Sequence, residues 1–581
     1  MQASCPESKI EECAAELLGE SFKFREGQLQ AVKFTVDNAV SDLKHTLLEA
    51  PTGSGKSMIA LIAAYVLWKV YSKKSYILVS DLSLFAQYEN DISKLKQKCF
   101  GCIKGKENYT CWKNGCNVSQ APCSLKGTGV ASVMFKSGSW PCKRQCKYML
   151  DYVKAVHAPI TLMTYQLYFI QRNYVEDMLF KGKNPNFPAR DLVICDECHK
   201  ICEICQTHFA PVISMKRPSW MTVLDKWMKA PSSETQRLRL VMNMGLCESN
   251  DELMELVKKY EQYVGMYTAA NTAARSQFAE KSKLSKAERA VLTAGNNARQ
   301  EHCKLEDFLE FISEVGSSEY AVLTSDAKSH TLNFVLDDMM LKKYLHAKSG
   351  CEMLMSATIG DFNEYAKLAG LDKKSCRAFV MDSTFDFSKS PVLFSRANKM
   401  SYEEKDKSIA VIAKQAADIC RENSSVRGIV QTGSYANLDM FVQSLPEDTA
   451  KRLITYKNAA EKKAALAEFL ERADDPDDNS ILAGPTLIEG LNFPDSLCRF
   501  QICIKVPYAC LGSEYVKRKM AYVDGWYEYD VINKLCQGIG RGVRHKTDWC
   551  KTYILDGCIS WLVSKLNRMG ALKGRFKEIN Y

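Results

Sequence analysis

Two short stretches carry the residue types and spacing for chemistry. Residues 50–57 read A-P-T-G-S-G-K-S, and residues 195–198 read C-D-E-C. In the first, Gly53 and Gly55 let the backbone curl so that its N–H groups, through Thr52 and Ser54, face one anion at a helix N-terminus. Lys56 then reaches the β- and γ-phosphates of a nucleotide, and Ser57 offers a hydroxyl to Mg²⁺. In the second, Asp196 holds Mg²⁺ through water and Glu197 orients or deprotonates the attacking water. That stretch has a rival reading, because Cys195, Cys198, Cys202 and Cys205 run C-x2-C-x3-C-x2-C, a spacing that suits a metal.

Positioning requires particular elements. "TLLE" before the glycines predicts a short strand, and "MIALIAAYVLW" after them a buried helix. "LVIC" predicts a buried parallel strand with Asp196 at its end. Cys198, Cys202 and Cys205 then fall at i, i+4 and i+7, one face of the helix that follows, where cysteine packs as a small apolar residue. The core reading is therefore preferred over the metal reading here.

Composition sets the frame. A chain of 581 residues exceeds one ordinary core, and its 46% hydrophobic and 25% charged residues suit a globular fold. The longest apolar run, residues 58–68, is too short to span a bilayer, and residues 1–18 do not form a secretory signal, so an intracellular, cytoplasmic protein is expected. The net charge of +10 permits a polyanionic partner without requiring one. Of 24 cysteines, seven (Cys99, Cys102, Cys111, Cys116, Cys123, Cys142 and Cys146) lie within 48 residues. Thiols gathered in a loop-rich segment with little apolar material point to a nucleating ion.

With "DECH" at 196–199 and "EAPTGSGKS" at 49–57, the chain resembles the helicases of superfamily 2. "FREGQLQAV" at 24–32 is similar to the segment in which a glutamine, here Gln28, reads adenine. "LVSDLSLFAQ" at 78–87 is similar to motif Ia, which touches the nucleic-acid backbone. "MLMSATIG" at 353–360 is similar to the Ser-Ala-Thr motif, in which Ser356 and Thr358 couple hydrolysis to domain movement. "QGIGRGVRH" at 537–545 is similar to motif VI. There Gln537, Arg541 and Arg544 would face the γ-phosphate from a second domain, the arginines sharing one helical face.

Within the superfamily the chain resembles the XPD/DinG branch of 5′→3′ DNA helicases. This rests on "KGKENYTC" at 104–111, "MDSTFDF" at 381–387 and "GPTLIEGLNFPDSLCRFQICIKVPY" at 484–508, with motifs in the correct order over about 25–545. One departure is Asn492, where an acidic residue is frequent, though Glu489 and Gly490 are kept. The exonuclease that some DinG proteins carry ahead of the motor is not expected, since about two dozen residues precede Phe24. The resemblance implies a [4Fe–4S] cluster on Cys111, Cys123, Cys142 and Cys146, with Cys116 an alternative ligand. Zinc or a metal-free domain are the alternatives, and the C-x2-C pair Cys99/Cys102 is a weaker zinc candidate.

The expected fold is α/β: two RecA-like parallel-sheet motor domains, the first interrupted by a small Cys-rich metal domain and a helical Arch-type insertion. The first motor domain takes residues 1–98, 159–210 and 346–385, the Cys-rich domain 99–158, the insertion 211–345 and the second motor domain 386–581. The basic segment 279–300 is read equally as an arm over single-stranded DNA or a solvated helix face. The implied function is an ATP-dependent 5′→3′ DNA helicase, expected to be monomeric, acting on single-stranded and forked DNA. Partners would come from replication, repair or CRISPR assemblies, in a nucleoid or a virus-infected cell. The alternatives are a remodelling ATPase subunit, an RNA helicase, and a metal-stabilised nucleic-acid-binding protein without turnover.

Overall fold

The computed structural model describes residues 4–51, 53–125, 145–173, 187–229, 234–278, 281, 284–382, 387–485, 493–543, 547–568 and 572–579, with only the backbone at 122, 387, 459 and 541. Thr52, Cys142, Glu489, Gly490, Asn492 and Arg544 lie outside the described residues, as does the Arg541 side chain.

Seven parallel strands form the first sheet: β1 (His45–Glu49), β2 (Ser75–Val79), β3 (Phe100–Cys102), β4 (Ile160–Thr164), β5 (Leu192–Asp196), β6 (Cys351–Ser356) and β7 (Cys376–Val380). Their order is β7-β1-β6-β5-β2-β4-β3. The central strands are unbroken runs such as SYILV and CEMLMS, buried along their whole length, because helices cover both sheet faces. One covering helix, Lys56–Tyr71, buries every residue from Ile59 to Leu67.

β3 extends this sheet past the expected boundary at residue 98. Gly101 allows it, since a Cβ there would collide with the Ala155 backbone of the helix Lys147–His157. Cys99 and Cys102, weaker zinc candidates from sequence, flank this edge strand, and burial pushes both thiols up to about 12. They are sheet residues, poorly disposed to ionise.

The segment between β5 and β6 is mainly helical, as expected, with a feature the helical reading lacked. Helices Asn250–Phe278 and Lys286–Val315 lie side by side, the second opened by a Ser285/Glu288 capping box. At its root Val212–Ser214, Ser329–Phe334 and Ala321–Ser325 form a small antiparallel sheet, in which SHTLNF alternates half-buried and buried residues. The basic stretch is divided: Val291, Leu292, Ala294 and Ala298 face inward, whereas Lys286 and Arg289 line a groove of about 490 Å³ opposite Cys116.

A second seven-stranded parallel sheet follows: β8 (Val392–Phe394), β9 (Gly428–Gln431), β10 (Leu453–Thr455), β11 (Ile481–Gly484), β12 (Phe500–Cys503), β13 (Lys551–Ile554) and β14 (Phe576–Glu578). Its order is β10-β11-β9-β12-β13-β8-β14. No described helix is long and apolar enough to cross a membrane.

The N-terminal edge of the first sheet is pinned by a buried charge cluster. Glu352, at the start of β6, is fully buried; its Oε2 lies 2.8 Å from His346 Nδ1 and 3.1 Å from His45 Nδ1. The other His346 nitrogen, Nε2, faces the Ala369 carbonyl at 2.8 Å, so both ring nitrogens donate and the ring is an imidazolium. Burial alone would raise the Glu352 carboxyl, but the His346 charge outweighs it and holds the group well below its usual range. Burial likewise opposes the His346 charge, and Glu352 overcomes it, raising the imidazole. The depressed carboxyl contributes stability above pH about 4.5, lost on acidification; the raised imidazole contributes below about 6.5, lost as pH climbs through its folded value. Glu352→Gln is therefore expected to destabilise the protein by about 3–5 kcal/mol near pH 6, with a smaller deficit at pH 4 and pH 9. Urea unfolding of both proteins across that range measures it.

Candidate nucleotide site

Register in the first sheet brings the chemistry together. β1 and β6 pair so that Glu49 stands opposite Ser356, and β5 and β6 so that Asp196 stands opposite Met355. The residues after these three adjacent strands therefore emerge at one edge, where open α/β sheets bind ligands.

After β1 the chain makes the phosphate cradle. Gly53 and Gly55 both have φ 82°, in the left-handed region, and the helix Lys56–Tyr71 starts directly behind them. Arg25 donates to the Gly53 carbonyl, and Gln28 Nε2 donates to the Ser54 carbonyl at 2.7 Å. Gln28 Oε1 accepts the Arg25 N–H at 2.8 Å, so both ends of this buried amide brace the cradle. Sequence assigned Gln28 to adenine; in this structure its amide is engaged by the protein. Lys56 Nζ donates to the Ala50 carbonyl at 3.3 Å and Ser57 Oγ to Asp91 at 3.2 Å. Both contacts must yield for the two groups to take phosphate and Mg²⁺.

Asp196 is 2% exposed and accepts hydrogen bonds from Tyr88 OH and the Glu197 N–H, each at 2.8 Å. Desolvation, then the Glu197 charge, push its carboxyl up to about 7, against the opposing pull of Lys56. Glu197 has φ 52°, uncommon for a residue with a Cβ, and such strain gathers at functional sites. Its Oε2 lies 3.4 Å from both Ser356 Oγ and His199 Nδ1, and His199 Nδ1 lies 2.7 Å from Ser356 Oγ. Glutamate, histidine and the serine of the Ser-Ala-Thr segment thus form one network. Glu49 extends it by accepting the Ile359 N–H at 2.7 Å and the Gly360 N–H at 2.9 Å.

The opposite wall belongs to the second sheet's domain. One cavity of about 1050 Å³ is lined by Lys56, Asp196 and Glu197 on one side and Gln537, Arg568 and Arg575 on the other. Tyr529, on the helix Trp526–Ile539 that carries Gln537, donates to the Ile359 carbonyl at 2.8 Å, joining the two walls. The helical face predicted for Arg541 and Arg544 falls on the Arg541 side chain and on Arg544, both outside the described residues. The helix ends at Ile539, residues Gly540–Gly542 form a 3-10 turn and Val543 is extended. Glycines on both sides of Arg541 disfavour helix continuation. Sequence reading missed Arg568 and Arg575, which follow the last motif. Arg575 is buried, donates to the Ser390 carbonyl at 2.9 Å, and is pushed down to about 10 by burial. Arg25, Glu49, Tyr88, His199 and Tyr529 were also missed; Glu49 and His199 adjoin motif residues, whereas Tyr529 carries no local signal.

The two cysteine groups differ. Cys195, Cys198 and Cys205 are at most 1% exposed and burial drives their thiols up, so that spacing records core packing. The α-helix there begins only at Ile201, after a 3-10 turn over Cys198–Lys200. In the Cys-rich segment, Cys111 and Cys146 are buried in one apolar cluster against which Cys116 and Cys123 pack. The Cys111 N–H donates to the Cys116 carbonyl at 2.7 Å, and Cys146 immediately precedes the helix Lys147–His157. Among the described residues no three of these thiols lie within 4.8 Å of one another, and Cys142 is outside them.

The raised Asp196 carboxyl has a measurable consequence. A folded value near 7 against about 3.9 unfolded means that folding takes up a proton between those pH values, so stability falls as pH rises through that window. Asp196→Asn removes that loss. The nucleotide-free variant is expected to melt within about 1 °C of the parent near pH 4 and a few °C above it at pH 8, by scanning calorimetry.

Comparison with known proteins agrees with this architecture. Residues 418–566 match the family described as helicase C-terminal domain, and residues 21–230 that described as type III restriction enzyme, res subunit. A segment of 170 residues is 25% identical to "ATP-dependent DNA helicase CHL1" of Yarrowia lipolytica, covering 24% of this chain and 20% of that protein. A segment of 121 residues is 29% identical to "ATP-dependent DNA helicase chl-1" of Caenorhabditis elegans, covering 17% and 15%. The matches thus span a fifth or less of these relatives. In fold, the chain superposes on "XPD_Helicase" with TM-score 0.60 and 16% identity, covering 96% of this chain and all of that one. It superposes on "Structure of S. tokodaii Xpd4" with TM-score 0.58 and 14% identity, again over 96% of this chain and all of the other. The chain thus shares its fold with the XPD structures and carries a segment that matches the helicase C-terminal domain.

Proposed function

We propose that this protein is an ATP-dependent 5′→3′ DNA helicase that couples hydrolysis in the interdomain cleft to movement along single-stranded DNA. The observation that carries this reading is the single cavity placing Lys56, Asp196 and Glu197 opposite Gln537 across two parallel-sheet domains. Lys56 and the N–H groups around Gly53–Gly55 bind the phosphates, while Ser57 and Asp196 would hold Mg²⁺, which neutralises charge developing on the transferred phosphoryl group. Glu197 takes the proton of the attacking water, held in place by the Ser356–His199 contacts. Gln537 and the arginines of its segment, Arg541 and Arg544, approach from the second domain as the cleft closes, together with Arg568 and Arg575. Tyr529 on the Ile359 carbonyl reports that closure to the Ser-Ala-Thr segment. DNA would cross both domains, gripped through its phosphates and largely blind to sequence.

The polarity and the [4Fe–4S] cluster rest on the XPD/DinG resemblance. Cys111, Cys123, Cys142 and Cys146 would hold the cluster, which folds the small domain between β3 and β4. The name of the CHL1 relatives, ATP-dependent DNA helicase, supports the same activity.

Lys56→Ala is expected to abolish DNA-stimulated ATP hydrolysis, and Glu197→Gln to lower kcat by about 10²–10⁴, in steady-state phosphate release. Unwinding assays should then favour a 5′-tailed over a 3′-tailed DNA duplex; equal activity on both would refute the polarity. Anaerobically purified protein is expected to contain iron and sulfide, both reduced in Cys111→Ser and Cys146→Ser. Zinc in place of iron would overturn the cluster assignment.

A further inference from the structure

A second junction between the motor domains lies away from the nucleotide. The helix Glu514–Tyr522 of the second domain rests on the root of the insertion, where Lys519 Nζ meets Asp337 Oδ2 at 2.6 Å with both side chains only 6% exposed. Neither residue lines the nucleotide cavity. Lys519 also donates to Tyr515 OH at 2.9 Å and sits 4.9 Å from the Trp526 ring centre. Burial opposes the ammonium charge, but the Asp337 carboxylate outweighs it and holds the group well above its ordinary value.

Each partner is tied to one wall of the cleft. Asp337 Oδ1 accepts from Gln206 Nε2 at 2.9 Å, and Gln206 lies on the helix Ile201–Phe209 that follows the Asp196–Glu197 pair. Phe209, the last residue of that helix, stacks on Tyr344 with ring centres 3.8 Å apart. On the other side, the helix bearing Lys519 is followed, after a three-residue turn, by Trp526–Ile539, which carries Tyr529 and Gln537. The surrounding contacts combine an edge-to-face pair of Tyr320 and Tyr522 rings, 5.1 Å apart, with polar ones nearer the surface. Arg518 donates to the Glu319 carbonyl at 3.2 Å, and Tyr522 donates to Glu319 Oε2 at 3.1 Å.

Pulling a buried pair apart leaves two uncompensated charges away from water, whereas rotation about it leaves the attraction intact. We propose that the Lys519–Asp337 pair is the pivot of the motor: the cleft opens and closes by rotation about it, so that Gln537 returns to a fixed position against Glu197. This rests on the helicase reading above. Lys519 and Asp337 are positioning residues, acting through the two helices they join.

The test compares Lys519→Met, Asp337→Asn, the conservative Lys519→Arg, and the double variant Lys519→Met/Asp337→Leu, which leaves no unpaired buried charge should a single variant fail to fold. Fluorescent-nucleotide affinity and DNA-stimulated kcat are read on each. The expected result is ATP affinity within about 3-fold of the parent throughout. The kcat falls about 10-fold or more in the Met, Asn and double variants and stays within about 3-fold in Lys519→Arg, since a barrier increase of 1.36 kcal/mol is tenfold in rate. An unchanged kcat in the folded double variant, or affinity falling in parallel with kcat, overturns the proposal. Dyes introduced by non-natural amino acids at Met266 and Leu470, exposed on the insertion and the second domain, read the pivot without turnover. Their separation should change on adding a non-hydrolysable ATP analogue by a single reproducible step in the parent and spread over a range in the double variant; identical behaviour of the two also overturns it. A parent that rotates in this way yet hydrolyses no ATP with DNA would instead refute the helicase reading alone.

Discussion

Everything in the cleft depends on the register of three neighbouring strands. Because β1, β6 and β5 are parallel and adjacent, the residues leaving Glu49, Ser356 and Asp196 share one sheet edge. Parallel strands buried on both faces tolerate no slip, since a one-residue shift reverses the face of every side chain. The phosphate cradle, the acidic pair and the Ser-Ala-Thr segment are thereby held in one place, and the contacts of Ser356 with His199 and Glu197 tie the last two together.

That arrangement carries a cost in stability. Asp196 is a carboxylate in a dry position, Glu197 has left-handed backbone, and the two negative charges are adjacent. In the nucleotide-free protein the pressure is relieved locally by Tyr88 and by the proton that Asp196 tends to keep. At the other end of the same sheet Glu352 is equally buried yet is satisfied by His346 and His45. The structural carboxylate is thus matched by imidazole charge, whereas Asp196 has hydrogen bonds from Tyr88 and the Glu197 N–H beside a like charge.

The two motor domains meet in two chemically different ways. Beside the nucleotide cavity the contacts include Tyr529 on the Ile359 carbonyl and the exposed Lys367–Asp524 pair at 3.0 Å. At the insertion root they are a buried ion pair surrounded by aromatic rings. A wet, open junction on one side and a desolvated one on the other is the asymmetry a rotating cleft requires.

Much of this was legible in the chain. Local propensity and apolar periodicity placed β1, β5 and the helix Lys56–Tyr71, because continuous apolar runs bounded by glycine have few alternative folds. Lys56, Ser57, Asp196 and Glu197 were proposed from sequence because phosphate chemistry demands fixed residue types at short spacing, and all four line one cavity. Tertiary structure alone decided the rest. Spacing left a metal reading open for Cys198, Cys202 and Cys205 beside the preferred core reading, and the near-complete burial of Cys198 and Cys205 agrees with the core. Likewise Arg575, Tyr529 and the Lys519–Asp337 pair have no local signature, since their roles come from elements distant in sequence that fold against one another. Covalent neighbours determine what a residue can do; whether it does so is set by which distant surface excludes water from it.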